Sequence, residues 1–300
     1  MKTKATLALA ALAACALSAH EAWNDISAFR INKEEPCAFY TVETDFESAK
    51  KPVSIEGVES VRSTEMYKSL NGDWKFLFAK NHAESKGEYK EKNFDDSAWD
   101  TIDVPNSWQC RGYDRIFFNN MPMEFCYDFE GNLYKEFAYG KDGKKDVLPP
   151  AAFKPFIPEA HRQIGVYRRK FTLPENWSGK NVFVQFDGVR TGLNVYVNGK
   201  FAGYSEDSFS PAKFDITKLV DFGGENTIVA EVYKYTTGAY MEMQDMPHMI
   251  GIIRDVNLIA RNPLHIDDYY APTDISDDLK SAEASFEFKL DNRSDKPSRP

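Results

Sequence analysis

The 300-residue chain carries 37 Lys+Arg against 46 Asp+Glu, a formal net charge of −9, with 42% hydrophobic and 14% aromatic residues. Apolar and aromatic content this high excludes a wholly disordered chain, and an acidic chain without a basic stripe excludes a nucleic-acid scaffold. Length alone suggests about two domains.

Lys2 and Lys4 precede a small, apolar run, Ala5 to Ala19, that fits a secretory leader and is too short to span a bilayer. Two readings stand: cleavage after Ala19, leaving residues 1–19 as signal peptide and an exported, periplasmic or extracellular protein, or lipidation of Cys15 within Leu12-Ala13-Ala14-Cys15. Cys37, Cys110 and Cys126 would remain after cleavage, an odd number that allows at most one disulfide.

Residues 20–65 read as an extended N-terminal arm. Asn93 to Trp99 is a candidate helical turn, with oxygens from Asp95, Asp96 and Ser97 as caps. Residues 127–150, charged and Gly-rich and ending at Pro149-Pro150, read as a surface insertion. Beyond them a period of two dominates. Val182 to Gly188, Leu193 to Val197, Lys200 to Tyr204, Thr227 to Tyr233 and Ile252 to Ala260 are expected strands, and Asn198-Gly199 is a type I′ hairpin turn. Short strands at this spacing predict an all-β sandwich, a jelly roll, over residues 66–262. The pattern restarts after Asn262-Pro263, where His265 to Thr273 and Ser281 to Leu290 read as strands of an incomplete second sandwich over 263–300.

Several segments in order resemble the N-terminal region of glycoside hydrolase family 2 β-galactosidases. They are Leu70-Asn71-Gly72-Asp73-Trp74, Phe94 to Trp99, Val104-Pro105-Asn106-Ser107-Trp108-Gln109 and Gly112-Tyr113-Asp114 with Phe118-Asn119-Asn120. They continue with Tyr167-Arg168-Arg169, Phe186-Asp187-Gly188-Val189, Val195 to Gly199, Gly203-Tyr204-Ser205-Glu206-Asp207-Ser208 and Gln244-Asp245-Met246 with Gly251-Ile252-Ile253-Arg254-Asp255-Val256. The resemblance implies a galactose-binding-like jelly roll, then the start of an immunoglobulin-like sandwich. It also implies a TIM barrel beyond this chain, with two glutamates for retaining hydrolysis of β-galactosides. No catalytic residue is then expected within the 300 residues, and their partners are a galactoside or oligosaccharide and the C-terminal domains of the same enzyme, with oligomers allowed. A free-standing carbohydrate-binding module and a β-glucuronidase or β-mannosidase relative are the alternatives.

By the same resemblance Asp207 contacts galactose and a sodium ion, Asn120 contacts the sugar, and magnesium belongs to the full-length enzyme. A carboxylate suits a hard cation and a sugar hydroxyl, and an amide offers donor and acceptor together. The plain alternatives are an Asp that bonds its own turn and a turn Asn. The pairs Asp95-Asp96, Asp267-Asp268 and Asp277-Asp278 read as caps and solvated turns, and Trp74, Trp99 and Trp108 as core. Pro247, Ile250, Ile253 and Cys110 depart from the family pattern.

Overall fold

The computed structural model describes residues 22–50, 64–84, 87–119, 123–128, 130–137, 154–242 and 244–294. The signal-peptide reading and Asn120 lie outside the described residues. In chain order the strands are β1 (Arg30–Ile31), β2 (Tyr67–Ser69), β3 (Gly72–Ala79), β4 (Asp100–Val104), β5 (Phe117–Asn119) and β6 (Ile164–Phe171). They continue as β7 (Asn181–Phe186), β8 (Val189–Arg190), β9 (Gly192–Val197), β10 (Lys200–Ser205), β11 (Ala212–Asp215), β12 (Asn226–Tyr233) and β13 (Met246–His248). The last are β14 (Gly251–Ile252), β15 (Val256–Arg261), β16 (Leu264–Tyr270), β17 (Thr273–Ile275), β18 (Ala282–Ala284) and β19 (Glu287–Asn292).

Two antiparallel sheets face each other in a jelly roll. One is ordered β1-β10-β9-β12-β6-β3-β4 and the other β11-β7-β15-β2. Alternation supplies the core between them. Val182, Val184 and Phe186 of β7 and Val256, Leu258 and Ala260 of β15 meet Leu193, Val195 and Val197 of β9 and Ile228, Ala230 and Val232 of β12. Trp74, Trp108 and Trp177 belong to this core, so the first two are packing residues as expected, while Trp99 is half-buried in a second cluster. The Asn198-Gly199 turn has φ of 50° and 78°, the type I′ signature, and opens the β9–β10 hairpin with Lys200 opposite Val197.

Four expectations change in detail. The run Ser281 to Leu290 divides at Ser285-Phe286 into β18 and β19, which pair with different strands. Asn93 to Trp99 forms turns rather than a helix: the Ser97 N–H donates to Asp95 Oδ1 at 3.0 Å, and Asp96 pairs instead with the buried Arg168. The run Ile252 to Ala260 is broken because the Ile253 N–H turns to the Gly188 carbonyl at 3.0 Å, which separates β14 from β15. The run His265 to Thr273 stops at Tyr270, since Pro272 has no N–H for a ladder; its carbonyl accepts from Ser285 at 3.1 Å.

The seven-stranded sheet is covered on its other face as well. Trp23 and Ala28 from the arm, Tyr89, Phe125, Phe137 and Ile157 pack on Ile164, Val166, Tyr196, Tyr204, Val229 and Tyr233. Every residue of β12 is therefore buried. Beyond β15, β16 pairs with β19 and β17 with β18 as two-stranded ribbons, with Ile275, Phe286 and Phe288 exposed.

Candidate functional site

Asp207 sits in the turn after β10, exposed, with φ of 83°. The extended alternation of β10 ends at Ser205, and this left-handed residue swings the carboxylate out of the sheet. Its Oδ1 takes long contacts from the Phe209 and Ser210 N–H groups at 3.4 and 3.3 Å, and Oδ2 has no hydrogen bond among the described residues. The turn role is thus present, and one oxygen remains for a cation or a hydroxyl.

Its neighbours hold this turn rigidly. Ser208 donates both its N–H, at 2.8 Å, and its hydroxyl to the Glu242 carboxylate. Glu206 is buried; its carboxylate accepts from Tyr204 Oη at 2.6 Å and also meets Thr236 and the Gly238 N–H. Burial, aided by the nearby Glu242 charge, pushes the Glu206 carboxyl up to about 7 in spite of those bonds. A Cβ at Gly238 would come within 2.1 Å of Glu206 Oε2, so glycine is what lets the carboxylate approach that backbone.

Arg190, on β8, links the turn to the loop that precedes Asn120. Its guanidinium lies 5.7 Å from the Phe209 ring centroid, and its Nη2 lies 2.8 Å from His248 Nδ1 on β13. Since guanidinium nitrogens only donate, His248 Nδ1 is the acceptor. β13 pairs with β5, with Met246 opposite Asn119. Asp207 and the end of β5 are therefore tied to one rim of the sandwich through Arg190. Pro247 lies opposite Phe118, while Ile250 is fully buried.

The Gly112-Tyr113-Asp114 segment is anchored beneath this rim. Lys234 Nζ lies 2.6 Å from Asp114 Oδ2 and 2.8 Å from Glu124 Oε2, and Glu124 also receives Arg115 and Tyr235. Burial pushes Glu124 up, but Lys234, Tyr235 and Arg115 outweigh it and hold the carboxyl below its ordinary value. The roles of Arg190, Glu206, Lys234 and Glu242 were not legible in the sequence. The one local signal was a lysine closing an apolar run, Val232-Tyr233-Lys234-Tyr235.

Other candidates resolve as structure. Cys37, Cys110 and Cys126 are thiols. Asp268 accepts the Ala38 N–H at 2.7 Å, and Asp278 accepts from Ser276 and Lys280. His265, Asp267 and Asp291 bring ligand atoms within 4.8 Å of one another, yet Lys289 and Arg293 already lie 2.6 Å from the two carboxylates, which disfavours a cation there.

Residues 130–263 match the family described as glycosyl hydrolases family 2, sugar binding domain. The β-galactosidase large subunit of Leuconostoc lactis is 38% identical over 223 residues, covering 74% of this chain and 34% of its own length. A β-galactosidase of Halalkalibacterium halodurans is 33% identical over 267 residues, covering 88% of this chain and 23% of its own length. A solved β-glucuronidase from glycoside hydrolase family 2 superposes with a TM-score of 0.50 at 27% identity, over 76% of this chain and 22% of that one. The chain spans about a third or less of the length of these relatives. With the jelly roll, the family match and this identity together, residues 130–263 carry the sugar-binding domain of glycosyl hydrolases family 2, and the chain is similar to the N-terminal part of β-galactosidases.

Proposed function

We propose that this chain is the N-terminal, sugar-binding portion of an exported β-galactosidase-like hydrolase that releases terminal β-galactosides. The observation that carries the reading is the Asp207 turn: an exposed carboxylate with one unengaged oxygen, on a rim clamped by Ser208–Glu242 and Arg190–His248. Identity to β-galactosidases of 33 to 38% over most of the chain supports the substrate.

In this reading Asp207 accepts a galactose hydroxyl and supplies one ligand to a sodium ion, and Asn120 adds an amide contact. The ion would supply a fixed positive charge for sugar oxygens. Asp207 fits that task as a single accessible carboxylate suited to a hard monovalent cation. The acid/base and nucleophile belong to a barrel outside these 300 residues, and magnesium belongs to the longer enzyme. The chain's own contribution is to orient the sugar.

Protein expressed from the complete gene should hydrolyse an aryl β-galactoside in preference to an aryl β-glucuronide, and the 300-residue chain alone should hydrolyse neither. Preference for the glucuronide, or turnover by the isolated chain, would contradict the reading.

A further inference from the structure

A cleft of about 740 Å³ lies between residues 33–40 and the outward face of the four-stranded sheet. Its volume falls in the range of about 300–1,000 Å³ that suits small ligands. Strand alternation builds its floor. Because Val182, Val184 and Phe186 point into the core, Phe183 and Gln185 face out; because Leu258 and Ala260 point in, Ile259 and Arg261 face out. β11 adds Lys213 opposite Gln185.

Five carboxylates, Glu34, Glu35, Asp187, Asp207 and Asp255, and four Lys/Arg side chains line this cleft, and they are not paired one to one. Glu34 is taken by Arg293 at 2.6 Å and Glu35 by Arg30 at 2.9 Å. Asp187 accepts from Gln185 at 2.7 Å and Asp255 from Asn71 at 3.0 Å. Arg261 is only 7% exposed, yet among the described residues no carboxylate lies within 4.0 Å of it. Its guanidinium instead lies 4.8 Å from the Tyr40 ring centroid and 5.6 Å from that of Tyr67, with a bond from Nη1 to the Ala260 carbonyl at 3.2 Å. Lys213 likewise has no carboxylate within 4.0 Å among the described residues, although it attracts Asp267 at longer range, and its Nζ lies 3.3 Å from Cys37 Sγ. Buried Arg168, by contrast, has Asp96. Aromatic faces attract a guanidinium but carry no net charge, so the desolvation of Arg261 is only partly offset.

We propose that this cleft binds an acidic saccharide, a sugar unit bearing a carboxylate or a sulfate, with Arg261 and Lys213 holding the anionic group. The sugar part rests on the sugar-binding reading above; the anionic part rests on Arg261 and Lys213, neither of which has a carboxylate within 4.0 Å among the described residues. Arg261 offers a planar fork for two oxygens, and Lys213 a movable point charge. Lys33, whose ammonium burial pulls down while Asp207 pulls it up, lies on the same cleft and links it to the Asp207 rim.

The test is calorimetric titration of the 300-residue chain with digalacturonate, galactose 6-sulfate, neutral galactobiose and sodium sulfate. Either acidic saccharide should bind at least about tenfold more tightly than galactobiose or inorganic sulfate, because charged hydrogen bonds exceed neutral ones. Which of the two binds names the anion. Arg261→Gln and Lys213→Gln should each weaken it by about tenfold, and raising salt from about 50 to 500 mM should weaken it further. Lys213 is half-buried, so Lys213→Gln decides the matter should Arg261→Gln not fold. Equal binding of galactobiose or of inorganic sulfate, no binding of either acid, or unchanged affinity in Lys213→Gln would overturn the proposal. Galactoside hydrolysis by the complete protein would be untouched by that failure, so the two readings fail separately.

Discussion

The Lys234 ammonium lies 2.8 Å from the Glu124 carboxylate, with 2% and 1% of the two side chains exposed. Lys234 follows β12, and Glu124 belongs to the irregular cover over the seven-stranded sheet. With Asp114 as the third partner, the contact fastens the segment leading to Asn120 onto the end of a central strand. Two carboxylates share one cation here, and Arg115 supplies the compensating charge from the partly exposed side.

Lys234→Met should therefore destabilise the chain strongly, by about 3–5 kcal/mol, because it leaves Glu124 and Asp114 facing each other without their cation. Urea denaturation measures this. A loss below about 1 kcal/mol would show that Arg115 alone suffices to neutralise the site.

Glu206 sets a pH dependence. Its folded value, about 7, lies above the ordinary 4.5, so the folded state holds a proton that the unfolded state releases between those limits. The contribution is fully present below about pH 4.5 and is lost as pH rises through 7, a change of order 3 kcal/mol. Glu206→Gln should flatten the fall in melting temperature from pH 5 to 8 relative to the parent. Identical profiles for the two proteins would show that Glu206 does not carry the pH dependence.

Legibility in the sequence followed periodicity. Asn198-Gly199 and the alternating runs of β7, β9, β10 and β12 showed themselves because one face repeats every second residue. The second face of the seven-stranded sheet did not. Its cover comes from Trp23, Phe125, Phe137 and Ile157, which stand in segments without a period, so neither the arm nor the insertion signalled burial. Thr227 to Tyr233 reads as a strand with one wet face, yet Glu231 is buried, bound by Tyr89 Oη at 2.6 Å and Lys90 at 2.9 Å. Of the candidate site, Asp207 was legible through motif order. The residues that hold it, Glu206 excepted, lie at least thirty positions away or on another strand, as with Glu242 and Arg190.

Gly203, in the same motif as Asp207, acts through packing. A Cβ there would stand 2.4 Å from Phe214 and 2.6 Å from the Ile31 carbonyl, because β1 crosses the edge of β10 at this point. Gly203→Ala should push β1 away and cost about 1–3 kcal/mol, the range for overpacking. Protease digestion is the sensitive assay: cleavage should accelerate between residues 30 and 40. An unchanged digestion pattern and melting temperature would show that the arm adjusts without loss.

Aryl β-galactoside kinetics of the complete protein and its Asp207→Ala variant, with and without sodium and alongside thermal melting, decide whether Asp207 serves the sugar site. The carboxylate is exposed and bonds only its own turn, so the variant should lose no more than about 1–2 kcal/mol of stability, the strain of alanine at this left-handed position, and stay folded. Loss of a charged hydrogen bond and an ion ligand should lower kcat/KM by about 10- to 200-fold and abolish the response to sodium. Unchanged kinetics with the sodium response intact would make Asp207 a turn residue with no part in sugar or ion binding.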